Sequence, residues 1–253
     1  MRNWMLLLAL ASPVALAQAV LEVGNDSLLR LPTSSAVLHL QRLTVAERGT
    51  LLIPAGVSEI RVEELHLGSE ARIALAPGEQ PLQLWVGTAR VEQGAQISAR
   101  GARGTLQQPA QPGRSLTLRL HSLSAETLLL DARGGPGAPG YAGLDGADGE
   151  AGGCTWGKAS RGHDGLDGGD GQPGAPGARV RVELPLDIPA ERLQVRLEGG
   201  EGGAAGAGGQ GGRGGLSKGC WLYSTDGATD GRAGQPGQAG AAGPAGQLEL
   251  VRF

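Results

Sequence analysis

Gly134-Gly135-Pro136-Gly137-Ala138-Pro139-Gly140-Tyr141-Ala142-Gly143-Leu144-Asp145-Gly146-Ala147-Asp148-Gly149 carries glycine at every third position, with Pro136 and Pro139 between. A strict period of three with proline favours the extended threefold polyproline II helix, which makes no hydrogen bonds within itself. Its backbone amides and carbonyls must therefore find partners on other segments. The run extends to Gly152, and the same period resumes from Gly162 to Gly177, from Gly200 to Gly215 and from Gly231 to Gly246. These are runs one to four. They hold most of the 46 glycines in the 253 residues.

What flanks the runs decides how they pair. Leu128-Leu129-Leu130 leads into run one, and run two leads out into Val180-Arg181-Val182-Glu183-Leu184. Likewise Leu193-Gln194-Val195-Arg196-Leu197 enters run three, and Leu248-Glu249-Leu250-Val251 leaves run four. The unit is strand, run, cysteine loop, run, strand, and it occurs twice; Cys154 stands as far beyond Gly134 as Cys220 does beyond Gly200. Each unit reads as a long hairpin. Cys154 and Cys220 at the two tips form a disulfide in this reading, because an exported cysteine pair is more often a disulfide than a metal or catalytic site. A thiol nucleophile would need a base beside it, and the nearest histidine in sequence is His163. A collagen trimer, the competing solution, wants one long uninterrupted run. A single-chain, monomeric bundle is favoured. Run three doubles its glycines (Gly199-Gly200, Gly202-Gly203, Gly208-Gly209, Gly211-Gly212, Gly214-Gly215), so two of its faces lack side chains and it is expected inside, with the other runs outside.

Upstream the chain has different physics. Over residues 20–133 apolar residues alternate in short runs, such as Leu38-x-Leu40, Leu51-x-Ile53, Ile60-x-Val62, Leu82-x-Leu84-x-Val86 and Leu116-x-Leu118-x-Leu120. Alternation means strands with one buried face. The pattern recurs from Val45 to Leu67 to Val91, a period of about 22 to 24 residues, typical of a β-helix whose coils complete a core only by stacking. A β-sandwich remains the alternative. The expected fold is thus mostly β: a β-helix-like or sandwich domain over 20–133, then a glycine-rich polyproline II bundle of two disulfide-tied hairpins over 134–253.

Residues 1–19 begin Met1-Arg2-Asn3-Trp4-Met5 and continue into the apolar Leu6-Leu7-Leu8-Ala9-Leu10-Ala11, too short to span a bilayer and followed by small-residue cleavage sites at Ala15-Leu16-Ala17 and Ala17-Gln18-Ala19. A secretory signal peptide is expected, with a mature chain from Gln18 or Val20 and no membrane span after cleavage. The net charge of −3 supplies no basic field for nucleic acid. Asp26, Glu47, Glu59, Glu63, Glu64, Glu70, Glu79 and Glu92 are scattered among turns and strand exits, and no catalytic constellation emerges; the reading is non-enzymatic, with no cofactor. His39, His66 and His121 each follow an inward leucine and so point outward, without the companions of a metal site. Asp164, Asp167 and Asp170 recur every third residue along one edge, too far apart to share calcium with one another and read as a solvated acidic ridge.

The Gly-X-Y runs with paired cysteines resemble the glycine-rich polyproline II bundles of springtail antifreeze proteins and of T-even-type phage tail-fibre adhesins, and segments such as 89–101 resemble coils of bacterial surface β-helix adhesins. In the phage adhesins the distal loops bind the receptor. That resemblance implies a binding tip here at residues 153–161 and 217–230. These loops carry Trp156, Lys158, Lys218, Trp221 and Tyr223, and exposed aromatics beside charges suit stacking on sugars or anchoring a protein; a plug around the disulfide is the alternative for Trp156 and Trp221. The charged outer positions depart from the flat small-residue face of the antifreeze proteins. The sequence therefore reads as a bacterial protein of the periplasm or cell surface, an adhesin for a cell-surface glycan or protein; the alternative is a structural, collagen-like matrix component.

Overall fold

The computed structural model describes residues 19–32, 35–155 and 157–253. The expected leader lies almost wholly outside them, as does Trp156. Fifteen strands are present: β1 (Val20–Val23), β2 (Leu28–Arg30), β3 (Val37–Val45), β4 (Thr50–Ile53), β5 (Glu59–Leu67), β6 (Arg72–Leu75), β7 (Leu82–Val91), β8 (Gln96–Ser98), β9 (Leu116–Ala125), β10 (Leu128–Asp131), β11 (Arg179–Leu184), β12 (Leu193–Arg196), β13 (Lys218–Gly219), β14 (Ser224–Thr225) and β15 (Gln247–Arg252). The structure is mostly β. A seven-stranded parallel sheet runs β1-β3-β5-β7-β9-β11-β15 and a six-stranded parallel sheet runs β12-β10-β8-β6-β4-β2, so the chain visits the two sheets alternately.

The register follows the apolar repeat. Leu43 of β3 sits beside Leu65 of β5, which sits beside Ala89 of β7, then Leu123 of β9, and all four are buried. Neighbouring strands lie edge to edge, so their apolar side chains line up in rows that face the other sheet, and the core is completed only as strands are added. The longer strands bend where two consecutive residues point outward, at Glu63 and Glu64 in β5 and at the equivalent Gly87 and Thr88 in β7. There the chains approach closely, and a Cβ on Gly87 would lie 2.7 Å from the Glu63 carbonyl oxygen. At the opposite corner Asp26, Arg48 and Glu70 adopt left-handed φ of 50°, 52° and 58°, followed by Gly94 at 76°. That strain is offset by a ladder of amide bonds, Asp26 to Glu47, Arg48 to Ser69 and Glu70 to Gln93.

One charged side chain sits at the core's edge without a carboxylate. Arg114 is fully buried, and its guanidinium donates to the carbonyls of Gln80 (2.9 Å), Pro54 (3.1 Å), Ala55 (3.1 Å) and Val57. It clamps the turn between β4 and β5 to the one between β6 and β7. Burial pushes its pKa down, and four oriented carbonyls replace the lost hydration.

The strands flanking the glycine runs are not a separate sheet. β11 pairs with β9, β12 with β10 and β15 with β11, and Val180, Val182 and Leu184 join the same buried cluster as Leu116 and Leu118. Both long hairpins therefore leave from one corner, where the six-stranded sheet hands the chain back to the seven-stranded one. Early in the chain that corner is a short turn, residues 54–58 or 76–81; it grows to residues 99–115, then to 132–178 and 197–246. The segment 99–115 is a third, shorter member of the set: Gly101 and Gly104 donate to Arg133 and Pro136 at the base of run one.

Candidate functional site

The four runs hydrogen-bond to one another throughout. Run two lies antiparallel to run one (Gln172 N–H to Ala138 O, 2.8 Å) and to run three (Gly206 N–H to Gly169 O, 2.9 Å), and run four lies antiparallel to run three (Gly237 N–H to Gly206 O, 2.9 Å). Parallel contacts complete the set: Gly140 of run one donates to Ala204 of run three, and Gly168 of run two to Gln235 of run four. Runs two and three each have three neighbours. The expectation of a single inner run is corrected accordingly.

Five run-to-run contacts need five glycine columns, because only one partner at each close approach must lack a Cβ. Run three supplies two, against runs one and four, and the other runs supply one each. A Cβ on Gly203 would sit 1.8 Å from the Ala138 oxygen, and one on Gly202 would sit 1.8 Å from that of Gly240. Run two is inner with a single glycine column because its remaining contacts fall on the glycines of runs one and four.

The aspartate ridge is exposed, as expected, and also has a bonding role. Each of its carboxylates accepts a backbone amide of the neighbouring run: Asp164 from Arg232, Asp167 from Gln235 and Asp170 from Gln238, all at 2.7 Å. Asp145 and Asp148 do the same for Gln210 (2.6 Å) and Arg213 (2.7 Å). These amides have no carbonyl to meet, so an aspartate in the third place of a triplet reaches across instead. The Arg232 amide holds the Asp164 carboxyl below the usual carboxylate range. Among the described residues no group of His, Cys, Asp and Glu has the arrangement of a metal site.

At the far end Cys154 and Cys220 form the expected disulfide, S–S 2.04 Å, between the two hairpin tips. β13 and β14 make a small antiparallel hairpin there, pairing Lys218 with Thr225 and Gly219 with Ser224. The Cys220 amide donates to the Tyr223 carbonyl at 2.7 Å, and the Tyr223 hydroxyl donates to the Cys154 carbonyl. The apex is thus tied down twice. What it presents is Trp221, 97% exposed, and Leu222, 84% exposed. Trp221 is no plug around the disulfide; Tyr223, itself 54% exposed, is the aromatic that reaches the Cys154 backbone. Lys158 and Lys218 are both exposed at the same end.

Short hairpin turns favour Gly, Asn and Asp, which tolerate the backbone and solvate well. Trp221 and Leu222 break that rule with two of the largest apolar side chains. Sequences that violate a local rule tend to do so at functional positions.

His39 and His121 are exposed as expected, while His66 faces Glu92 at 3.3 Å, in two side-chain-lined hollows on the outer face of the bent sheet. Trp85 stands there between the guanidinium groups of Arg61 (5.4 Å) and Arg119 (5.1 Å). These residues are tied to their neighbours, Arg61 to Glu59 and Arg119 to Glu183. Comparison with protein-family models, with curated proteins and with solved structures returned no match. Among the described residues no helix is long and apolar enough to cross a membrane.

Proposed function

We propose that this chain is an exported, non-enzymatic surface-binding protein of a bacterium, a β-helix base carrying a rod of polyproline II hairpins that presents a binding tip. The observation that carries the reading is the Trp221–Leu222 apex: two large apolar side chains are held in water by a hairpin that a disulfide and the Tyr223 hydroxyl fix in place. Exposed apolar groups cost solubility, and on a rigid mount they are preorganised to bind without an ordering penalty. The two parallel sheets with alternating strands support the β-helix reading, and inter-run bonding with glycine at each close approach supports polyproline II. Because the runs find their partners in the same chain, the reading is a monomer and not a collagen-like trimer.

The test is attachment. Purified protein is added to candidate host or sister cells, and bound protein is measured for wild type, Tyr223→Phe, Trp221→Ala and Lys218→Ala. Loss of attachment by Trp221→Ala with an unchanged circular dichroism spectrum is the expected result. Attachment equal to wild type in Trp221→Ala and Lys218→Ala together would remove the tip from the account.

A further inference from the structure

The tip's surroundings narrow its partner, given the tip reading above. Trp221 at 97% exposure has almost no protein atom against its ring. It cannot be one wall of a preformed sugar pocket, which is concave and lined on several sides. The apolar surface is also spread over the rod's end, since Leu216 at the close of run three is exposed as well, at 76%. A single pocket on a protein accepts one anchor. A planar apolar medium accepts all of these side chains together.

The charges agree. The chain has twenty arginines and only two lysines, and both lysines, Lys158 and Lys218, stand in the two loops at this tip. Lysine stems lie along apolar surface while their ammonium groups stay in water, and a basic rim behind tryptophan and leucine is the composition of segments that settle into the membrane interface. Of the acidic groups in the same loops, Asp230 is engaged by the Gly214 amide at 2.7 Å, which leaves the exposed Asp226, just beyond β14, to set against the two lysines. We propose that the Trp221–Leu222 apex enters the headgroup zone of a lipid bilayer, with Lys158 and Lys218 against anionic headgroups.

The experiment is co-flotation of the oxidised protein with vesicles of phosphatidylcholine and phosphatidylglycerol (3:1) and of phosphatidylcholine alone. Wild type is expected to float with both, more with the anionic mixture. Trp221→Ala and Leu222→Ser should each lower partitioning by about tenfold. Lys158→Gln with Lys218→Gln should remove the anionic preference, about fivefold per lysine, and leave binding to neutral vesicles. Comparing variants on one chain cancels any contribution of residues 1–19. Wild type that does not float, or Trp221→Ala that floats equally, overturns the inference. If that happens while Trp221→Ala still loses cell attachment, the tip binds a protein or glycan and only the bilayer is wrong; if attachment also survives, the tip reading itself has failed.

Discussion

Between the two parallel sheets, Leu118 and Val182 point inward and are wholly buried; among the glycine runs, Gly203 and Gly206 are buried too and have no side chain to bury. The first region fills the space between two sheets with hydrocarbon. The second removes the space by bringing backbones together until only glycine fits. Both follow from the same demand, that buried amides and carbonyls be paired, met in one case by parallel strands and in the other by runs that share no side-chain core. Removing atoms should therefore damage the first region, and adding them the second.

The sharpest way to break this comparison is a pair of substitutions. Leu118→Ala takes atoms out of the core between the sheets and should cost about 2 to 5 kcal/mol in urea unfolding. Gly203→Ala adds one carbon where the Ala138 oxygen already lies, and should cost about 3 kcal/mol or more, despite being a change that stabilises ordinary loops. A null result for Gly203→Ala would mean that the runs are not packed backbone to backbone. In the two-sheet region Arg114→Met should cost about 3 kcal/mol, because four carbonyls lose their charged donor together.

Reducing the disulfide comes next. The bridge spans 66 residues, and loop closure of that length gives an upper value of about 4 kcal/mol. Reduction should destabilise the glycine runs more than the two-sheet region they leave from, which holds no cysteine.

Acid should act on the same boundary more gently. A carboxylate whose folded pKa is depressed adds stability above its unfolded pKa and loses that contribution as pH falls through the folded value. Asp164 is held down by the Arg232 amide; for Asp131 burial is the largest single influence and works upward, but the hydrogen bonds and charge of Arg133 together with the charge of Arg100 leave it low as well. Melting temperature should then fall as pH drops below about 4. Asp164→Asn, which keeps an acceptor for the amide without the titration, should flatten that dependence. At the bottom of the scale, Trp221→Ala should leave stability unchanged within about 0.5 kcal/mol, since its ring contacts water.

Much of this architecture was legible in residue order. Alternation at Leu82-Leu84-Val86 gave the strands, the spacing from Val45 to Val91 gave the stacking, and the doubled glycines of run three marked it as interior. Run two's interior place was not legible, because the glycines that admit it belong to runs one and four. Arg114 was hidden for a related reason: its partners are main-chain oxygens at residues 54–57 and 80, which carry no side-chain signature. The aspartates at every third place were visible as a period, yet their use appears only when run four brings its amides within reach. At the tip, Cys154, Cys220, Lys158, Lys218, Trp221 and Tyr223 were all singled out by sequence. The structure tied Tyr223 to the Cys154 backbone and left Trp221 in solvent.

Residue-resolved amide hydrogen exchange on the dilute, oxidised protein tests the central claim most directly. Run two should show two protected amides in each triplet, such as Gly168 and Gly169, and run one should show protection at its glycines, such as Gly140 and Gly143. This pattern should not change with protein concentration. Fast exchange throughout the runs, or protection that appears only as concentration rises, would contradict a bundle closed within one chain.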